Sequence, residues 1–167
     1  DHEFIFPYYR LLEEEFEVDV CLLEGRPVQG IMGTKIPPNK NQVVKKIDEI
    51  SVDNYKLLVL PGGVKAMEKV RQERKIIKFI SEFDKKKNII ACICSGAQLL
   101  ISAKVVKGRK ISGYYSMKDD LVNAGATYTD LPAVIDHNIV TTAHYKDLGP
   151  WMKAVLKVFY DKYKNQS

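Results

Sequence analysis

The stretch Ile89-Ile90-Ala91-Cys92-Ile93-Cys94-Ser95-Gly96 has the residue types and spacing that point most directly to chemistry. A short apolar run stops at a cysteine, a serine and a glycine follow, and a helical pattern opens at Ala97-Gln98-Leu99-Leu100-Ile101. This is the strand–nucleophile–helix order of a nucleophile elbow, in which a buried strand delivers a side chain to the end of a sheet. Gly96 and the small Cys92 leave room for the sharp turn. Free N–H groups at a helix start favour thiolate over thiol. The thiolate attacks electrophilic carbon, so the pattern predicts that Cys94 is a nucleophile.

Few other side chains could assist it. His144 follows a strand-like segment over 138–142, at the carboxyl end where α/β sites gather, and is a candidate base. His137 falls in the turn at the opposite end of that segment, and His2 stands beside Glu3 near the start. Cys92-x-Cys94 offers too few ligands for a closed zinc site, which needs four, so no metal is expected. Cys21 lies in a strand-like run and reads as a small core hydrophobe. Pro61-Gly62-Gly63 lacks the length and the Lys-Ser/Thr ending of a phosphate loop.

The elements that must position these residues alternate along the chain. A helix is expected over Pro7–Glu15 and a strand over Glu17–Leu23. Residues 25–50, broken by Gly30, Gly33, Pro37 and Pro38, suggest a small hairpin or an extended excursion. Leu57–Leu60 reads as a buried strand, Ala66–Lys85 as a helix, and residues 89–93 as the elbow strand, followed by a helix to Ala103. Lys110–Gly113 is strand-like, Lys118–Ala124 helical and Ala126–Tyr128 a short strand. Val134–Asp136 and Asn138–Thr142 form a plausible hairpin, and Lys146–Tyr163 an amphipathic helix. Such alternation predicts an α/β layered fold. A doubly wound sheet normally opens with a strand, whereas this chain opens in a helix. The first strand is therefore expected to be missing from the sequence.

At 167 residues the chain is long enough for one domain, 1–167, with its own apolar core. The 46% hydrophobic and 28% charged residues are an ordinary globular balance. The net charge of +5 sits in solvated runs such as Lys85-Lys86-Lys87 without interleaved aromatics, which argues against nucleic acid as a partner. No stretch approaches the roughly 20 apolar residues of a membrane span, and the opening does not read as a signal peptide. Three cysteines in apolar segments do not suggest a disulfide framework, so a reducing, cytoplasmic setting is expected.

Taken together, Leu58-Val59-Leu60-Pro61-Gly62-Gly63, Ala91 to Leu100 with Ser102-Ala103, Lys107-Gly108-Arg109-Lys110, and Tyr114 to Asp120 with Asn123-Ala124-Gly125-Ala126 resemble the PfpI/ThiJ superfamily. That superfamily also contains the parkinsonism-associated protein deglycase, and the last motif is similar to its PfpI branch. The resemblance implies a flavodoxin-like three-layer sandwich with a mainly parallel central sheet and the nucleophile at the end of a central strand. It implies that Glu3 contacts the sulfur of Cys94, where a raised Glu3 pKa and a depressed Cys94 pKa are expected of coupled neighbours. The amides of Ser95 and of Gly62 or Gly63 are the expected oxyanion hole. Tyr114 falls where the deglycase branch places a pocket histidine. No cofactor is implied, and a homo-oligomer is.

Two departures bear on activity. The residue after the nucleophile is Ser95, where the protease-like members have histidine, and a serine hydroxyl is no general base near neutral pH. Those members also borrow a glutamate from a neighbouring subunit at a position that aligns with Arg74, one residue from Glu73. Glutamine amidotransferase chemistry needs a His-x-Glu, whereas His144 is followed by Tyr145-Lys146. The expected function is a cysteine-dependent enzyme acting on a small carbonyl, amide or similar electrophile through Cys94 and Glu3, by glyoxalase-like, deglycase-like, amidase or hydratase chemistry. The alternatives are a redox-sensing or chaperone-like stress protein with an oxidisable Cys94, and an intracellular cysteine peptidase.

Overall fold

The computed structural model describes residues 1–164. The chain enters through α1 (His2–Glu13) and forms β1 (Val20–Cys21), the hairpin strands β2 (Val28–Gln29) and β3 (Lys35–Ile36), and β4 (Val44–Lys45). It continues through β5 (Leu57–Leu60), α2 (Val64–Val70), α3 (Arg74–Lys85), β6 (Ile89–Ile93) and α4 (Ala97–Ser102). β7 (Lys110–Ile111), α5 (Lys118–Asn123), β8 (Thr127–Tyr128), β9 (Val134–Asp136), β10 (Ile139–Thr142) and α6 (Leu148–Tyr163) complete it.

The central sheet has the order β5-β6-β10-β9. β5, β6 and β10 are mutually parallel and β9 closes the edge antiparallel, so the expected mainly parallel α/β sheet is present. All five residues of β6 are buried, because helices cover both faces of the sheet. Their side chains alternate between two cores. Ile90 and Cys92 join Phe79, Ile80, Phe83 and Leu100 on one face, while Ala91 and Ile93 join Leu11, Trp151, Met152 and Val155 on the other. The Trp151 indole N–H donates to the Val140 carbonyl at 3.1 Å and fixes α6 on β10. At the amino end of the sheet, Arg109 donates to both Asp84 oxygens at 2.9 and 3.1 Å, and the Asn138 amide donates to Asp84 Oδ1 at 3.0 Å.

Three elements differ from the sequence expectation. The helix over 66–85 is two helices, because Glu73 accepts the Lys75 N–H at 3.2 Å and caps a new start. The strand over 17–23 shortens to Val20–Cys21, paired among the described residues with β4 alone. Cys21 faces solvent and is not a core residue. α1 spans His2–Glu13 rather than Pro7–Glu15, in keeping with a chain that opens in a helix, and this places Glu3 in its first turn. The Asp1 carboxylate accepts the N–H groups of Met32 and Thr34 at 2.9 and 3.2 Å, tying that first turn to the β2–β3 hairpin.

Candidate active site

Cys94 follows β6 with φ of 59°, a left-handed conformation that non-glycine residues seldom adopt. Ile93 before it is still extended, and one tight turn over Cys94–Gly96 leads into α4. The chain thus reverses at the sulfur, as a nucleophile elbow requires. Gly96 is needed there for space. A Cβ on it would lie 2.8 and 2.9 Å from the carbonyl oxygens of Leu60 and Pro61 and 3.0 Å from Cys92 Sγ.

Glu3 arrives from α1. Its Oε1 accepts the Gly62 N–H at 3.0 Å, and the carboxyl also hydrogen-bonds Cys94. Gly62 must be glycine for this contact, because a Cβ would stand 2.3 Å from Glu3 Oε1 and 2.9 Å from Cys94 Cβ. With its amide given to Glu3, Gly62 is not free to hold an oxyanion, contrary to the sequence expectation. The N–H groups of Gly63 and Ser95 are directed at the Cys94 sulfur instead. Gly63 reaches this position with φ of 103°. The Ser95 hydroxyl lies 3.8 Å from the sulfur.

Burial raises the Glu3 carboxyl above its ordinary value, against the opposing pull of the Gly62 N–H. The Cys94 thiol is also raised, first by burial and then by the negative charge of Glu3. The expected depression of Cys94 is therefore not found. The amides of Gly63 and Ser95 favour the thiolate, but less than burial and the carboxylate disfavour it. A thiol beside a basic carboxylate can hand over its proton as the sulfur bonds to carbon, and the resulting carboxylic acid can return it.

The remaining residues fall into three groups. Tyr114 is tied to the elbow, its N–H donating to the Cys94 carbonyl at 3.2 Å. His144 stacks on Tyr114, with ring centroids 6.5 Å apart, and packs on Tyr145 at 4.0 Å. Its Nδ1 accepts the Lys146 N–H at 3.1 Å, so the neutral ring carries its proton on Nε2. His2 is 5.6 Å from Tyr145, at the outer margin of this aromatic group. His137 lies in the β9–β10 turn, at the amino end of the strands and away from Cys94. Cys92 is wholly buried, and burial pushes its thiol far up. Tyr115 and Tyr145, which extend the aromatic group, were not foreseen from the sequence. No periodic pattern marks them, since each opens a single 3-10 turn, Tyr115–Met117 and Tyr145–Asp147, too short to show a repeat.

The sequence model of the DJ-1/PfpI family matches residues 1–158. The chain is 38% identical over 158 residues to a Pyrococcus furiosus protein named deglycase PfpI, covering 95% of this chain and 92% of that protein. It is 36% identical over 158 residues to deglycase PH1704 of Pyrococcus horikoshii, with the same coverage of 95% and 92%. Among solved structures, Schizosaccharomyces pombe DJ-1 matches with a TM-score of 0.81 over 100% of this chain and 93% of that one. At 20% identity that likeness speaks to the fold.

Proposed function

The chain belongs to the DJ-1/PfpI family, and on that footing we propose that it is a cysteine-dependent enzyme acting on a small carbonyl, amide or similar electrophile. The observation that carries this reading is the Glu3 carboxyl, held by the Gly62 amide at 3.0 Å and hydrogen-bonded to Cys94. Cys94 attacks the electrophilic carbon while its proton passes to Glu3. The sulfur–carbon bond forms as the carbonyl π pair moves onto oxygen, and the Gly63 and Ser95 amides stabilise the developing charge. Glu3 then returns the proton to that oxygen, giving a hemithioacetal from an aldehyde. With an α-oxoaldehyde such as methylglyoxal, a proton shift from C1 to the neighbouring carbonyl carbon turns the hemithioacetal into a thioester, which water hydrolyses to the hydroxy acid and free Cys94. With an amide, Glu3 protonates the departing nitrogen, and in a second step water hydrolyses the thioester, freeing the acid and returning the thiol of Cys94.

The name deglycase, carried by relatives at 36% and 38% identity, favours carbonyl adducts of amines or thiols within that substrate class. Ser95 in place of a base favours such substrates over peptides. Association of like chains is part of the proposal, supported by Phe6 and Tyr9 on the exposed side of α1 and by Ile31, 98% exposed beyond β2. Size-exclusion chromatography would read it.

Methylglyoxal consumption tests the chemistry. The reading expects turnover in the parent protein and in Cys21→Ala and none in Cys94→Ala. Undiminished consumption by Cys94→Ala overturns it.

A further inference from the structure

Three segments of the chain meet beside Cys94, and each brings rings. β10 runs parallel to β6 with Thr142 opposite Ile93, so the two strands leave the sheet side by side, one into Cys94 and the other into His144 and Tyr145. The segment after β7 brings Tyr114 and Tyr115, with the Tyr114 N–H held on the Cys94 carbonyl at 3.2 Å. α1 brings His2, one residue before Glu3 and 5.6 Å from Tyr145. The rings form a connected wall. His144 is 4.0 Å from Tyr145 and 6.3 Å from Tyr115, and Tyr115 is 5.6 Å from Tyr114. The wall is fixed from behind. The Tyr128 hydroxyl donates to the Gly113 carbonyl at 3.1 Å, just before Tyr114, and His144 Nδ1 accepts the Lys146 N–H at 3.1 Å. Its outer side is open, with Tyr115 42% and Tyr145 51% exposed.

We propose that this wall is a specificity subsite of the Cys94 site and takes a flat, uncharged aromatic substituent on the carbonyl substrate. The inference rests on the reading of Cys94 as the nucleophile, and it narrows the substrate class from small carbonyls in general to aryl-substituted ones. Ring faces and edges that pack on nothing are the surface on which a further ring settles, in offset or edge-on contact at about 4.5–7 Å between centroids. An aliphatic group would cover the same area without that electrostatic fit. A cationic substituent is disfavoured, because the Lys146 ammonium already stands over the Tyr115 ring at 5.9 Å. Tyr115 and Tyr145, the more exposed rings, supply the contact. His144 lies between them, stacked at 18° on Tyr115 and tilted on Tyr145, and sets their separation. Because the rings are held before substrate arrives, little ordering cost attends binding.

Alkylation of Cys94 reads the subsite without turnover. In a Cys21→Ala background, the rate with iodoacetanilide, which carries a phenyl ring, is divided by the rate with iodoacetamide, which does not. With either reagent the sulfur–carbon bond forms as iodide leaves. Dividing again by the same ratio for glutathione removes the intrinsic difference between the reagents. The proposal expects a quotient of about five, falling roughly threefold in Tyr145→Ala and in Tyr115→Ala and kept in Tyr145→Phe, which retains the ring. In turnover, kcat/KM for phenylglyoxal relative to methylglyoxal should fall in the same two alanine variants. A quotient near one in the parent, a quotient that neither alanine variant lowers, or an equal loss in Tyr145→Phe overturns the proposal. So does a quotient that falls as protein concentration rises, which would make a second copy the occupant of the wall. If neither aldehyde is consumed, the reading of Cys94 as an enzyme's nucleophile has failed, and the alkylation quotient alone decides the subsite.

Discussion

The Glu3 carboxylate and the Gly62 amide are bonded at 3.0 Å, and a Cβ on Gly62 would stand 2.3 Å from that same carboxylate oxygen. The glycine thus serves the site twice, as a donor and as an empty space. Its donor role takes it out of the oxyanion hole and leaves Gly63 and Ser95 to face the sulfur.

Gly62→Ala should therefore displace Glu3 from Cys94 without unfolding the protein. A misplacement of about 1 Å at a reacting group lowers turnover roughly a hundredfold. Steady-state kinetics should show that loss in kcat/KM, with the circular dichroism spectrum unchanged.

Glu3→Gln removes the proton acceptor, and general acid–base loss of this kind is worth about 10²–10⁴ in kcat/KM. The parent enzyme should lose activity as pH falls through the raised Glu3 value, because the protonated carboxyl cannot accept the thiol proton. That acid limb should vanish in Glu3→Gln.

The same burial predicts a stability effect of opposite sign. Since folding raises the Glu3 pKa, its neutral form suits the site, and that stability is fully present below the ordinary value of 4.5. It is lost as pH rises through the folded value. Glu3→Gln should unfold at a higher temperature than the parent at pH 8 and at the same temperature at pH 4, as differential scanning calorimetry would show.

Far from the site, Asp84 holds Arg109 and Asn138 at the amino end of the sheet. Asp84→Ala leaves a largely buried guanidinium without its partner, a loss of about 3 kcal/mol. For a domain of this size, that lowers Tm by roughly 6–12 °C. The kcat of the folded fraction should be unchanged, because the network and Cys94 lie at opposite ends of β6.

Much of this architecture is legible in the residues. Leu57–Leu60 and Ile89–Ile93 are read correctly because parallel strands between helical layers need continuous apolar runs, although only β6 is buried along its whole length. The elbow is legible because strand, cysteine and helix adjoin in sequence. The break between α2 and α3 is not, since no proline or glycine marks it and only the Glu73 cap creates it. Cys21 misleads because its neighbours are apolar while its own face of a two-residue strand is open to solvent. The commitment of the Gly62 amide to Glu3 joins residues 59 positions apart, and no local pattern encodes it.

The central claim is that Glu3 governs the proton of Cys94, and the pH dependence of Cys94 alkylation tests it most directly. Iodoacetamide labelling in a Cys21→Ala background, followed by intact mass, reads the Cys94 thiol alone, because Cys92 is wholly buried. With Glu3 present, the thiol should titrate above its ordinary value of 9.0, and Glu3→Gln should move it down by removing the neighbouring negative charge. An identical titration in the two proteins, or an upward move in Glu3→Gln, would contradict the account.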